Sequence, residues 1–317
     1  MQSVKSKSLN SLSIVIPVYN SENCVQELLT QLEKVLVLFD YEIILVDDKS
    51  VDKSWTILTH NFKNKGNVSI IKLSKNFGQD SAIMCGLHST RKDYIVIMDD
   101  DLQHDPKYIP KLYDEIKKTK KDVCFANFHT KNQTLIKNFG SWLNGRLANI
   151  VIKKPKNIYL SPFKILSKDL VKKILTYDGP YPYVDGLIFR YTRQTTQIDI
   201  KHNKRFSGKG NYSISKSISV WLRVLTNFSI IPLRIATSIG ILSAFVGFTM
   251  GLYFIYLAII GGVTLKGWSS LIVSVLFIGG VQLIALGIMG EYVGRSFLYQ
   301  NKEPQFIIEK AHLYDNN

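Results

Sequence analysis

Residues 94–106 read YIVIMDDDLQHDP. An apolar run from Tyr94 to Met98 stops on Asp99, Asp100 and Asp101; Gln103, His104, Asp105 and Pro106 follow. Three carboxylates at the end of a buried run repel one another unless positive charge lies among them. A divalent cation supplies it: Mg²⁺ and Mn²⁺ prefer oxygen ligands, and Mg²⁺ commonly joins one or two carboxylates to substrate phosphates. The plain alternative is a solvated acidic turn. Against it, the triplet abuts a buried strand, and Asp47-Asp48 ends another apolar run, EIILVD, in the same way. His104 reads as a hydrogen-bonded loop histidine rather than a ligand. Asp105-Pro106 reads as a helix start, with the aspartate as N-cap and the proline in the first turn. His60, His88, His129, His202 and His312 show no metal spacing.

The elements that would position these acids alternate in type. LSIVIPV, EIILVD, VSIIKL, YIVIMD and DVCFAN are short, apolar and β-branched, as strands are. Between them lie longer segments with helical spacing, such as ENCVQELLTQLEKVLVLF and SWTILTHNF. That alternation predicts an α/β fold, a mostly parallel sheet with helices on both faces. Such sheets bind ligands at the carboxyl ends of their strands. Tyr19 and Asn20, Asp47 and Asp48, and Asp99 to Asp101 should therefore share one edge. Trp55 and Trp142 are most simply core residues. No internal repeat or low-complexity tract interrupts the pattern.

The chain has 317 residues, a formal net charge of +15 and 46% hydrophobic residues, so it is no disordered basic tail. Cys24, Cys85 and Cys124 are scattered and odd in number, which argues against a disulfide framework and for buried thiols in a reducing compartment. The polar start, MQSVKSKSLNS, lacks the apolar core of a secretory signal, so the first part of the chain is expected in the cytosol. The far end is different. Ile235–Leu265 and Gly267–Gly290 carry no charged residue. Both exceed the roughly 20 apolar residues that a bilayer core requires of a helix. Gly240, Ser243, Ala244, Gly247 and Gly251, then Gly279, Gly280 and Gly287, suit close packing between membrane helices. A two-helix membrane hairpin is expected, the alternative being two buried helices of a soluble core. Lys216, Arg223 and Arg234 precede the pair, Arg295 and Lys302 follow it, and only Lys266 lies between; the positive-inside rule then puts both ends in the cytoplasm. The preceding segment, SISKSISVWLRVLTNFSIIPLR, has the composition of an amphipathic helix lying on a membrane surface.

Several stretches together carry a family resemblance: SIVIPVYNSEN, IILVDDKSVD, KLSKNFGQDSAIMCGL, IVIMDDDLQHDP, YVDGLIFR, RFSGKGNYS and GEYVGRSFLYQNKEPQFII. They run from about residue 12 to 308, in order. The sequence resembles the family 2 glycosyltransferases of the GT-A fold. Within them it is most similar to the polyprenyl-phosphate glycosyltransferases, a group that includes dolichol-phosphate mannose synthase and bacterial bactoprenol glucosyl and aminoarabinosyl transferases. The resemblance implies a GT-A catalytic domain over 1–212, an amphipathic juxtamembrane helix over 213–232, two transmembrane helices over 233–292 (about 235–262 and 268–290) and a cytoplasmic tail over 293–317.

It also implies roles. Pro17, Tyr19, Val46 and Asp48 would hold the base and ribose of a nucleotide-sugar. An acidic pair usually follows the family's Tyr-Asn; here it is Ser21-Glu22, and only Glu22 carries the role over. Asp99 and Asp101 match the Asp-x-Asp motif as catalytic and metal-binding residues, Asp99 also among the donor-binding residues, with Gln103 as a further ligand to Mg²⁺ or Mn²⁺. Asp100, commonly a small residue in the family, counts here with the donor-binding residues or alters the local charge. For the acceptor phosphate, Arg205 matches a family arginine and Tyr212 fits the same pattern. Lys209 stands two residues before Asn211, which occupies the usual lysine position. Lys137 and Ser141, spaced i, i+4, match a basic residue and a serine on one helix face. A further arginine of the pattern falls on Phe128, for which Lys131 stands in. The alternative for these lysines is a basic surface facing solvent or anionic lipid. In LSPFKIL, Pro162 and Lys164 depart from the pattern, so no donor sugar is carried over.

The reading is thus a membrane enzyme that moves one sugar from a nucleotide-sugar to a polyprenyl phosphate (undecaprenyl phosphate in a bacterium) with inversion. Its partners are the donor, the lipid phosphate and the bilayer, with no nucleic acid. A homo-oligomer is compatible with the reading, and a flippase that takes the product follows by analogy. The competing readings are a GT-A transferase acting on a lipid-linked sugar or other hydroxyl, and a catalytically silent membrane scaffold.

Overall fold

The computed structural model describes residues 10–63, 65–128, 155, 158–200, 231–260 and 267–314. The chain divides into two compact units, Met1–Asn211 with Lys302–Asn317, and Tyr212–Asn301.

The first unit opens with the alternation read from the sequence: β1 (Ser11–Val18), α1 (Val25–Val35), β2 (Asp40–Asp47), α2 (Ser54–Phe62), β3 (Val68–Leu73), α3 (Gln79–His88) and β4 (Tyr94–Ile97). After a 3₁₀ turn at Pro106–Tyr108 come α4 (Ile109–Thr119), β5 (Val123–Phe128), β6 (Lys164–Ser167), α5 (Lys168–Ile174), α6 (Val184–Tyr191) and β7 (Thr195–Ile200). The strands form one eight-stranded sheet in the order β7-β5-β6-β4-β1-β2-β3-β8, where β8 is Ile308–His312. β1 to β4 are mutually parallel, and β5 runs parallel to β7. β6 is antiparallel to both its neighbours, and β8 is antiparallel to β3. The sheet is therefore mixed, with the expected parallel block at its centre.

The central strands are largely apolar because helices cover both faces; in β1 every residue after Ser11 is buried, and the Ser13 hydroxyl donates to Glu42 Oε1 at 2.6 Å. Two of the covering helices, α1 and α4, bury one stripe each. α1 buries Val25, Leu28, Leu29 and Leu32, and α4 buries Ile109, Leu112, Tyr113 and Ile116, the i, i+3, i+4, i+7 spacing of an amphipathic helix. α3 packs directly on β1 and β2. Gly86 makes that approach possible, since a Cβ there would fall 2.4 Å from Val15 Cγ1.

β6, β7 and β8 were not among the expected strands. All three are short, and β8 is separated from its partner β3 by the whole helix pair. Residues 293–317, expected as a tail, thus include an edge strand of the catalytic sheet. Ser74 N–H donates to Ile307 O at 2.8 Å, and Gln305 Nε2 donates to Tyr177 O at 2.7 Å.

The second unit contains α7 (Ile231–Ile259) and α8 (Trp268–Gln300), which contact each other. Each is long and apolar enough to cross a membrane, with mean hydropathy 1.6 over Pro232–Met250 and 1.4 over Phe277–Gln300. Neither stretch is buried: Leu242, Phe245 and Phe248 on α7, and Leu283, Leu286 and Val293 on α8, are exposed. Apolar surface on that scale is a feature of membrane or partner contact, not of a soluble core. The expected amphipathic helix over 213–232 falls almost wholly outside the described residues.

Candidate active site

In the parallel block the chain runs from β1 outward to β2 and β3, then crosses back to place β4 on the other side of β1. The strand order reverses between β1 and β4, and a crevice opens there at the carboxyl ends of the strands. Pro17, Val18 and Tyr19 enter it from β1, and Asp48 from the end of β2. Asn76, Gly78 and Gln79 enter from the turn before α3, and Asp99, Asp100 and Asp101 from the end of β4.

Three residues without the freedom of glycine take left-handed backbone just past these strand ends: Asn20 (φ 55°), Lys49 (φ 60°) and Leu102 (φ 60°). Such conformations persist where the surroundings hold them, and at Asn20 the hydrogen bonds that do so are visible. Asn20 N–H donates to Ser50 Oγ at 3.0 Å, and Val51 N–H to Asn20 Oδ1 at 2.9 Å. Ser21 N–H donates to Ser54 Oγ at 2.8 Å. Glu22 N–H donates to Asp52 Oδ2 at 3.1 Å, and Glu22 Oε2 accepts from Lys53 N–H at 2.9 Å. The β1–α1 and β2–α2 loops are thus laced together.

Asp48 fixes the third loop. Its two oxygens accept from Phe77 N–H at 2.7 Å and Gly78 N–H at 2.9 Å. Gly78 has φ 93°, open to glycine and strained for any other residue, and this turn aims both amides at the carboxylate. Burial pushes the pKa of Asp48 up, and the two amides pull it back. Asp47, fully buried, is also raised by burial, opposed by the bonds from Ser50.

The three aspartates of the opening motif point their carboxylates at three different partners. Asp99 Oδ1 accepts from Gln79 Nε2 at 2.7 Å. Asp100 Oδ2 accepts from Tyr19 N–H at 3.1 Å and from the Ser21 hydroxyl. Asp101 Oδ1 accepts from Gln103 N–H at 3.1 Å. Burial pushes Asp100 up to about 6, opposed by the bonds from Ser21 and Tyr19. His104 is buried; its Nδ1 accepts from Asp99 N–H at 3.3 Å and its ring stacks on Phe163 at 5.5 Å. It is the hydrogen-bonded loop histidine expected from the sequence. Asp105 caps the 3₁₀ turn, accepting from Lys107 N–H at 3.0 Å.

Of the residues singled out in the sequence, Pro17, Tyr19, Asp48, Asp99, Asp100 and Asp101 line one cleft. Val46 is fully buried within β2, beneath it. Glu22 joins the two loops rather than lining the cleft. Gln103 adjoins Asp101 through its amide. Lys131, Lys137, Ser141, Arg205, Lys209 and Tyr212 lie outside the described residues. Asn76, Gly78 and Gln79 were not singled out. They sit in KLSKNFGQDSAIMCGL, where the clue was a glycine and a glutamine opening a helix directly after a strand.

Behind the cleft is a second polar group. Lys164, paired with Ile97 across the β4–β6 ladder, is buried and forms an ion pair with Asp185 in the first turn of α6. Asp80 Oδ1 accepts from Val184 N–H at 3.0 Å. Burial pushes Asp80 up to about 6. The three cysteines are buried thiols that form no disulfide, and burial pushes Cys85 and Cys124 up to about 12.

A mixed α/β sheet with acidic residues at its switch point, followed by two long apolar helices, defines a GT-A glycosyltransferase with an appended helical hairpin. The family model for glycosyl transferase family 2 matches residues 13–175, more than half of the chain, and the chain belongs to that family. It is 30% identical over 306 residues to the glycosyltransferase YkcC of Bacillus subtilis, spanning 96% of this chain and 95% of that protein. It is 29% identical to the undecaprenyl-phosphate 4-deoxy-4-formamido-L-arabinose transferase of Pseudomonas fluorescens, over 97% of this chain and 92% of that one. Among solved structures, glucosyl-3-phosphoglycerate synthase of Mycobacterium tuberculosis, in complex with Mn²⁺, uridine diphosphate and phosphoglyceric acid, shares the fold. Its TM-score is 0.53 at 15% identity, covering 68% of this chain and 76% of that one.

Proposed function

We propose that this enzyme transfers a single sugar from a nucleotide-sugar to a polyprenyl phosphate, undecaprenyl phosphate in a bacterial cell, at the cytoplasmic face of a membrane. The observation that carries the reading is an acidic cleft at the sheet's switch point in a chain that also holds two exposed apolar helices. The undecaprenyl-phosphate transferase relative, aligned over nearly the whole of both chains, supports the lipid acceptor.

Pro17, Tyr19, Val46 and Asp48 would shape the nucleotide end of the cleft, with Glu22 bracing the loop beside it. Asp99 and Asp101, with Gln103, would hold Mg²⁺ or Mn²⁺. The donor set fits a hard cation, since it is oxygen-only. When bound, the cation would offset charge on the departing nucleoside diphosphate as a Lewis acid. The structural neighbour solved with Mn²⁺ and uridine diphosphate supports this use of the fold.

A lipid phosphate has a second pKa of about 6 and is largely ionised near neutral pH, so its oxygen attacks without a strong base. A hydroxyl acceptor would need one. The half-buried carboxylates next to the cleft are already engaged, Asp185 with Lys164 and Asp80 with the Val184 amide, which favours the phosphate. Direct displacement inverts the anomeric centre. Arg205, Lys209, Lys131, Lys137, Ser141 and Tyr212 would receive the acceptor phosphate, an assignment that rests on the sequence.

Both ends of the helix pair lead into the same compact unit, as a two-span hairpin requires. The basic residues flanking the pair favour a cytoplasmic catalytic domain. Fixing that domain at one height above the bilayer lets the lipid head group meet the donor by a short lift.

The test uses purified protein in detergent with polyprenyl phosphate, Mg²⁺ or Mn²⁺, and a panel of UDP-, GDP- and dTDP-sugars. One donor should release nucleoside diphosphate and yield an acid-labile glycolipid, and Asp101→Ala should abolish both. A donor that binds with metal yet never turns over with the lipid phosphate would move the acceptor to a hydroxyl.

A further inference from the structure

The β1–α1 loop is held on one flank by the β2–α2 loop, through the bonds of Asn20, Ser21 and Glu22. On its other flank stands Asp100, 81 residues away in the chain, whose Oδ2 accepts from Tyr19 N–H at 3.1 Å and from the Ser21 hydroxyl. That oxygen has both lone-pair sites engaged by protein hydrogens, which leaves it little capacity to bind a cation. The neighbours Asp99 and Asp101 direct their carboxylates elsewhere, toward Gln79 and the Gln103 amide. Asn20, between the two anchored residues, sits at φ 55°, so the loop's path depends on its anchors.

We propose that Asp100 is a positioning residue: its carboxylate locks the β1–α1 loop across the switch point to the end of β4 and thereby sets Tyr19 in the wall of the donor cleft. Metal binding falls to Asp99 and Asp101. Ser21 and Asp100 are in this view the two sides of one contact. The consequence for donor binding rests on reading the cleft as the nucleotide-sugar site; the latch itself does not.

The test compares the full-length protein with Asp100→Ala, Asp100→Asn and the reciprocal exchange Ser21→Asp with Asp100→Ser. Hydrogen exchange of the peptide containing Tyr19, donor KM, kcat and the Mn²⁺ half-saturation concentration are read for each. In Asp100→Ala, exchange at Tyr19 should quicken about tenfold and donor KM should rise about tenfold, the effect of losing a partly buried charge-assisted hydrogen bond. The fall in kcat and the shift in Mn²⁺ dependence should each be smaller, about threefold at most. Asp100→Asn should be intermediate, and the reciprocal exchange should recover both readouts to within about threefold. Unchanged exchange at Tyr19 in Asp100→Ala overturns the proposal. So does a Mn²⁺ half-saturation that rises as steeply as KM and is not recovered by the exchange, which would make Asp100 a ligand. Faster exchange in Asp100→Ala, alongside a wild-type protein that binds no nucleotide with metal, upholds the latch and refutes the donor site.

Discussion

At the scale of single residues, burial and partner choice give chemically identical side chains different behaviour. Asp99, Asp100 and Asp101 are adjacent, yet one faces Gln79, one faces the β1–α1 loop and one closes its own turn. Asp80, next to the cleft residue Gln79, shows the cost of burial most plainly. Desolvation raises its pKa from 3.8 to about 6, with Asp185 adding to the rise and the Val184 amide and Lys164 opposing it. A carboxyl whose folded pKa lies above its unfolded value holds its proton more tightly in the folded state. Ionising it therefore withdraws stability as pH rises through the interval between the two values. Asp80→Asn keeps an acceptor for Val184 N–H and removes the charge. Its Tm relative to wild type should climb between about pH 4 and pH 7, by an amount worth about 2–3 kcal/mol at most. Parallel Tm curves across that range would show that Asp80 does not titrate as described.

At the scale of elements, close approach decides what the sheet can carry. α3 is buried from Ser81 to Leu87 and rests on β1 and β2, with Gly86 directly over Val15 and Val46. A methyl group at Gly86 would stand 2.4 Å from Val15 Cγ1, well inside contact distance, so helix or strand must move. Gly86→Ala should destabilise the protein by about 1–3 kcal/mol, the usual cost of overpacking a filled core. Because Gln79 and the Asn76–Gly78 turn begin the same helix, the displacement should also weaken nucleotide binding. Thermal unfolding and nucleotide titration of this variant check both effects. A variant as stable as wild type would mean that α3 can lift without cost.

At the scale of the whole molecule, the chain leaves its catalytic unit, runs through two apolar helices and returns to finish the sheet. β8 pairs with β3, Ile71 opposite Ala311 and Lys72 opposite Lys310, and Glu309 forms an ion pair with Lys49 next to the cleft residue Asp48. Without this segment β3 would present an unpaired edge, a template for aggregation. Ending the chain after Asn301 should lower Tm by about 5–10 °C, as expected for losing a few kcal/mol in a domain of this size. It should also shift the detergent-solubilised protein toward aggregates in size-exclusion chromatography. A truncated protein that elutes and melts like wild type would show that β8 is dispensable.

Much of this protein was legible in its sequence because the relevant signals are local. Apolar runs of strand length, helical spacing between them and acids at the run ends follow from periodicity alone, as Ile14–Val18 and Ile95–Met98 show. So do two long stretches without charge, since a helix must satisfy its own backbone wherever water is absent. What the tertiary structure decided is which distant groups meet. Tyr19 and Ser21 reach Asp100 because β4 lies beside β1, and Lys164 reaches Asp185 because β6 inserts beside β4. Ile308–His312 becomes a strand because β3 has a free edge. Period and composition report whether a side chain is buried; strand order, set by packing across the whole chain, chooses the neighbour it is buried against.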